Sequence, residues 1–210
     1  MAGTDEAKGE TRRRLRAQRR RIAASRDLTA DGAALAEAVL TQVSTTPTRR
    51  APTRSGPAGT GPAGDCGDAH GPRTVLSYES LPHEPPTRAI NAALQSAGHR
   101  VLVPITLPDL RLDWCDLADP DRTPLGLDRP VTADLAVIPA LAVDTRGTRL
   151  GQGGGCYDRV LPMLPAGTPV LVLLHPGEHT TEVLPRDPHD VAVTTVVTAT
   201  GVARVDRPLD

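Results

Sequence analysis

Three unbroken apolar runs set the limits on what this chain can fold into: Val-Leu-Val-Pro within Arg100–Pro104, Asp-Leu-Ala-Val-Ile within Asp134–Ile138, and Pro-Val-Leu-Val-Leu-Leu over Pro169–Leu174. Each is strand-length and shows no polar alternation, so each is read as a strand buried on both faces. Helical patterns lie between them. Pro86–Ala97 places Ile90, Ala93, Leu94 and Ala97 inward and is stopped by Gly98, and Asp158–Leu164 starts a helix that Pro162 limits. Thr74–Tyr78 reads as a further strand, Leu110–Leu117 as a strand or part of a hairpin, and Val191–Thr195 as the approach to a last short strand, Val196–Thr198. This alternation predicts an α/β fold: one domain, with a mostly parallel central sheet and helices on both faces. There is no internal repeat.

The flanks of that body differ in character. Residues 5–24 predict an arginine-rich helix with a thin apolar stripe of Leu15, Ile22 and Ala23. Ser25 or Asp27 ends it, and Thr29 or Asp31 caps a second, amphipathic helix over Gly32–Val43, with Leu35, Val39, Leu40 and Val43 on one face. From Pro47 to Arg73, proline and glycine dominate and nothing can form a core, so this stretch reads as a disordered insertion. The expected layout is therefore 1–46 as two helices packed on the domain, 47–73 as the insertion, and 74–210 as the α/β body. One Trp, two Tyr and no Phe leave the core to Val, Leu, Ile and Ala.

Composition excludes several classes of function. The formal net charge is −1, which gives no bias toward nucleic acid or a membrane surface. Lys8 is the sole lysine, so no later lysine can serve as a Schiff base or phosphate clamp. Cys66, Cys115 and Cys156 are odd in number and far apart, which argues against a disulfide framework or zinc site. No stretch approaches the roughly 20 apolar residues of a membrane span. A cytoplasmic monomer is the expectation.

Four glycines in five residues (Gly151, Gly153, Gly154, Gly155) lie between a strand-like segment and a helix start. Such a loop lets backbone N–H groups approach an anion, with Arg149 and Arg159 flanking it. A flexible loop with no ligand is the plainer reading of glycines alone. The dinucleotide pattern G-x-G-x-x-G fails at Cys156, and the P-loop pattern fails for want of a lysine. Asp158 and Asp190 offer hard oxygen ligands suited to Mg²⁺ beside a phosphate cradle, although a lone aspartate is more often a cap or a solvated surface group. Tyr78–Glu84 (YESLPHE) carries carboxylates that suit a guanidine-like edge such as a pterin N–H/NH₂ pair, although carboxylates at such a place are more often simply solvated. The arginines of the first helix form either a solvated face or a route to phosphate. No HxxxH or HExxH occurs, and neither Ser77 nor Cys115 lies in a nucleophile elbow.

Taken in order, these segments resemble the 5-formyltetrahydrofolate cyclo-ligase family, also called methenyltetrahydrofolate synthetase. Its motif D-x-x-G-x-R-L-G-x-G-G-G-Y-Y-D-R is matched by Asp144, Gly147, Arg149-Leu150-Gly151, Gly153-Gly154-Gly155 and Tyr157-Asp158-Arg159. Ala133–Pro139 resembles the preceding strand and Gly126–Pro130 a G-I-x-E-P turn. Glu84 with Thr87 resembles E-V-x-T, Pro185 with His189-Asp190 resembles P-x-x-x-H-D, and Val197-Thr198 resembles the closing strand. The resemblance covers roughly residues 10–45 and 74–203.

The resemblance implies ATP-dependent cyclisation of 5-formyltetrahydrofolate to 5,10-methenyltetrahydrofolate, with release of ADP and phosphate. It implies Arg149 and Tyr157 as catalytic residues. ATP would be bound by Lys8, Arg14, Arg149, Leu150, Gly151, Gln152, Gly153, Gly154, Gly155, Cys156 and Tyr157. The folate would be bound by Glu79, Glu84, Gln152, Gly153, Gly154, Gly155 and Cys156, and Mg²⁺ by Asp158 and Asp190. Three positions depart from the pattern. The lysine expected four residues before Arg14 is Glu10, with Lys8 two residues off. The first tyrosine of the Tyr-Tyr pair is Cys156, and a glutamine expected six residues before Pro185 is His179. A noncatalytic folate- or nucleotide-binding relative, and a sugar-phosphate isomerase-like or CoA-transferase-like enzyme on a related fold, are the alternatives. Retention of Arg149, Asp158 and Asp190 speaks against the first, and the ordered glycine motif against the second.

Overall fold

The computed structural model of the chain describes residues 2–46, 71–187 and 190–205. Two helices open it: α1 (Ala2–Ala24) and α2 (Leu28–Thr45). α2 runs longer than its apolar stripe suggests, because polar contacts rather than burial hold its ends. Asp27, not Thr29 or Asp31, caps α2: its carboxylate accepts from the Thr29 and Ala30 amides at 2.9 and 3.1 Å. Asp31 instead pairs with Arg26. Residues 47–70 of the expected insertion lie outside the described residues. On its far side, buried Arg73 donates its guanidinium to the Thr46 carbonyl, so the two bases of the segment meet.

The seven-stranded sheet has the order β10-β9-β7-β4-β1-β2-β3. Its five parallel strands are β1 (Thr74–Leu76), β2 (Arg100–Thr106), β4 (Leu135–Pro139), β7 (Val170–Leu173) and β9 (Thr195–Thr198). Antiparallel strands close both edges: β3 (Leu112–Asp116) on β2 and β10 (Gly201–Arg204) on β9. The Leu110–Leu117 segment is thus a hairpin partner of β2. The chain does not stop at Thr198 as the apolar runs suggest. The residues of β10 are largely exposed and carry no apolar run, so its sequence shows no strand pattern.

Both faces of the parallel strands are dry, as their unbroken apolar runs require. Leu76, Leu102, Ala136, Ile138, Val172 and Val196 point to one side, and Val75, Val101, Leu135, Val137, Leu171 and Val197 to the other. The second face is covered by Leu35, Val39 and Val43 of α2 and by Ile90 and Leu94 of α3 (Arg88–Ser96). The first is covered by Trp114 and by Val160 and Leu161, where α4 (Cys156–Val160) runs into a 3₁₀ turn at Pro162. No helix among the described residues is long and apolar enough to cross a membrane.

A second, three-stranded sheet carries the glycine loop. It orders β6 (Arg149–Leu150), β5 (Ala142–Asp144) and β8 (His179–Thr180). Only the strand-like segment before the glycine loop was legible in the sequence; the other pieces are two or three residues long and carry no pattern. The motif's Asp144 is the knot of this sheet. One carboxylate oxygen accepts from the Arg146 and Thr148 amides, closing the β5–β6 hairpin, and the other accepts from the Leu184 amide. Gly147 fills the hairpin turn at φ 76°, where a Cβ would stand 2.3 Å from the Val193 carbonyl oxygen. That close approach admits only glycine.

Candidate active site

In an open parallel sheet, ligands gather beyond the carboxyl ends of the strands where the connections part to opposite sides. Here that point lies between β1, which leads to β2, and its neighbour β4, which leads to β7. A cavity of about 610 Å³ opens there, within the range of small-molecule sites. Tyr78 and Glu79 enter it just beyond β1, Pro104 and Thr106 from β2, and Pro139 and Ala140 from the end of β4.

The glycine loop forms one wall. Arg149, Leu150, Gly151, Gln152, Gly153, Gly154, Gly155, Cys156, Tyr157 and Asp158 all line the cavity. Gly153 turns at φ 109°, with the Arg12 guanidinium 3.5 Å from where its Cβ would be. Helix α1 closes the cavity from the other side. Lys8 and Arg12 line it, and Arg12 Nε donates to the Gly151 carbonyl at 3.2 Å. Arg16 clamps the loop from outside, donating to both the side chain and the carbonyl of Gln152.

Arg14 is the one expected site residue that does not line this cavity. It lies on the outer, exposed face of α1, bonded to Glu182 at 2.6 Å. The arginine at the cavity is Arg12, four residues after Lys8. That spacing puts both on one helical face, and it was visible in the sequence. Lys8 and Arg12 thus have the four-residue lysine–arginine spacing that Glu10 and Arg14 lack.

The titratable groups are already engaged with one another. Buried Lys8 holds Asp187 at 2.6 Å and Asp190 at 2.7 Å. Burial alone would lower the Lys8 pKa; hydrogen bonds and charge from Asp187 and Asp190 outweigh it and hold the group above the usual lysine range. Arg149, itself buried, pairs with Asp158. Glu84 is buried and accepts from the Leu81 amide at 3.0 Å and the Gln152 side chain at 3.4 Å. Glu79 is more exposed and pairs with Arg122. Burial pushes the phenols of Tyr78 and Tyr157 upward, and the Glu84 charge adds to it, so both stay protonated at neutral pH.

Asp187 and Tyr78 also line the cavity, although the sequence assigns neither a role of its own. An acid three residues from Asp190 was a signal available for the first. Pro104, Thr106 and Ala140 carried none, being ordinary strand-end residues. His189 lies outside the described residues. His179, where glutamine was expected, lies in β8 and is absent from the cavity wall. Cys115 and Cys156 are free thiols, and Cys156 takes its place in the wall.

The sequence model of the 5-formyltetrahydrofolate cyclo-ligase family matches residues 68–199. A 5-formyltetrahydrofolate cyclo-ligase of Mycolicibacterium smegmatis is 36% identical over 143 residues, covering 60% of this chain and 73% of that protein. A methenyltetrahydrofolate synthase domain-containing protein of Bos taurus is 36% identical over 88 residues, which are 38% of this chain but 23% of that longer protein. Among solved structures, a 5,10-methenyltetrahydrofolate synthetase from Mycoplasma pneumoniae aligns with a TM-score of 0.65 at 16% identity, over 91% of this chain and 98% of that one. The Aquifex aeolicus 5,10-methenyltetrahydrofolate synthetase aligns at 0.62 and 18% identity, over 97% and 96%. At these identities the two structures speak for the fold.

Proposed function

The chain belongs to the 5-formyltetrahydrofolate cyclo-ligase family, and we propose that the cavity between α1 and the glycine loop carries out the ATP-dependent closure of 5-formyltetrahydrofolate to 5,10-methenyltetrahydrofolate. The observation that carries this reading is convergence. Two cations of α1, ten consecutive residues of the glycine motif, two well-separated aspartates and a buried glutamate meet in one cavity at the sheet's switch point.

The reaction asks for positioning and charge neutralisation more than for a protein nucleophile. The formyl oxygen attacks the γ-phosphorus of ATP and the bond to ADP breaks. N10 then attacks the activated formyl carbon, phosphate departs with the former formyl oxygen, and N10 gives up its proton. Lys8, Arg12 and the amides of Gly151–Gly155 hold the phosphates. Arg149 faces the charge that builds on the transferred group. Glu84 accepts hydrogen bonds from the pterin N–H edge, helped by Glu79 at the mouth. Tyr157 stays protonated and serves as a neutral donor.

Asp158 and Asp190 suit Mg²⁺ by chemistry: both are hard oxygen donors lining the same cavity as the glycine loop. Among the described residues no group of three or more His, Cys, Asp or Glu could hold a metal alone, so nucleotide oxygens would complete the shell. When bound, the ion neutralises phosphate charge.

The test is direct. Protein, Mg-ATP and 5-formyltetrahydrofolate are mixed at neutral pH and the methenyl chromophore is followed. Turnover is expected. Tight binding of ATP or folate without turnover would leave a noncatalytic relative, and failure to bind either would end the assignment.

A further inference from the structure

The lone lysine stands where a cation would. Its ammonium contacts one carboxylate oxygen of Asp187 and one of Asp190, and that same Asp190 oxygen also accepts from the Asp187 amide at 2.8 Å. Mg²⁺ sits about 2.0–2.1 Å from an oxygen ligand. That Asp190 oxygen already accepts two hydrogen bonds, from Lys8 at 2.7 Å and from the Asp187 amide, so an ion bound to it would have to displace one of them and would face the Lys8 charge at close range. Lys8 would have to leave Asp190 first. Its side chain is only 6% exposed, so water cannot readily take over the lost bond. A buried ammonium deprived of a partner is strongly disfavoured. The other metal candidate is engaged in the same way, since Asp158 is paired with Arg149.

We infer that Lys8 acts as a tethered cation that keeps Asp190 closed to a divalent ion until a nucleotide arrives, and that Asp187 is the residue that positions it. This rests on the ATP reading of the cavity. A nucleotide brings phosphate oxygens that accept the displaced ammonium, so the ion and the nucleotide enter together. Asp187 retains one bond to Lys8 through the exchange and keeps it aimed at the phosphates. It is the more accessible of the two acids, at 25% against 11%.

Because Lys8 is the sole lysine, the ¹⁵N-labelled full chain has one side-chain lysine ammonium signal. Millimolar Mg²⁺ alone is expected to leave it in place, and Mg²⁺ with a nonhydrolysable ATP analogue to shift it. Lys8→Met should bind Mn²⁺ alone at least tenfold more tightly by electron paramagnetic resonance, while binding the analogue more weakly. Asp187→Asn should raise KM for ATP more than it lowers kcat. The inference is overturned if Mg²⁺ alone moves the signal, if the analogue binds by calorimetry with the signal unmoved, or if Lys8→Met binds Mn²⁺ no more tightly. An analogue that does not bind at all would bring down the ATP reading along with it.

Discussion

At the scale of single residues, side chains two positions apart on a helix point to opposite faces and can have opposite fates. Arg12 and Arg14 lie on the same helix, but one faces the cavity and the other pairs with Glu182 in solvent. Loss of a hydrogen bond to a charged group costs about 1.5–3 kcal/mol, or roughly 10- to 100-fold in affinity. Arg12→Ala is therefore expected to raise KM for ATP by about that factor, and Arg14→Ala to leave it within about twofold, exposed ion pairs being worth about 0–1 kcal/mol. Steady-state kinetics at saturating folate decides between them. Asp158→Asn should lower kcat/KM by at least about 10-fold, because it removes a proposed metal ligand and leaves buried Arg149 without its carboxylate. Unchanged kinetics would remove Asp158 from the site.

At the scale of elements, short pieces hold the site and their ends are set by individual polar contacts. The Asp27 cap makes a clear case: Asp27→Ala should cost about 1 kcal/mol and lower Tm by about 2–4 °C, whereas Thr29→Ala should do neither, as measured by thermal unfolding. Gly147→Ala should cost about 1–3 kcal/mol, since its Cβ would press on the Val193 carbonyl at a left-handed φ. A urea midpoint equal to that of the parent would refute this. These elements also show where sequence reading stops. The apolar runs predicted β4 and β7 to within a residue, because burial on both faces leaves its mark on every position. β5, β6 and β8 left little mark beyond a strand-like segment before the glycines, because a two- or three-residue strand is selected by its partners. Asp144 was legible as part of a motif, but its work as the knot between the hairpin and Leu184 was not.

At the scale of the whole molecule, Asp144 links acid stability to the integrity of the site. Burial would raise its pKa, but hydrogen bonds from the Leu184, Thr148 and Arg146 amides outweigh that and hold it below the usual carboxylate value. A carboxylate with a lowered folded-state pKa stabilises the fold above its unfolded value, and this stabilisation is lost as pH falls through the lowered value. Denaturation from pH 7 downward should therefore show a loss beginning below about pH 4, shallower in Asp144→Asn. An identical profile in the variant would assign the acid lability elsewhere.

The sequence by itself determined the α/β architecture, its buried parallel strands and the glycine motif with its two outlying aspartates. It could do so because burial on both faces restricts residue type at every strand position, and the glycine motif is a long ordered pattern. Only the tertiary structure decided that Lys8 and Arg12, rather than Arg14, face that motif, that Asp187 joins Asp190 in holding Lys8, and that β10 closes the sheet. The first two depend on how α1 is rotated against a body more than a hundred residues away in sequence, and local patterns carry no record of that rotation; the third rests on backbone pairing of an exposed strand with β9, which leaves no apolar pattern.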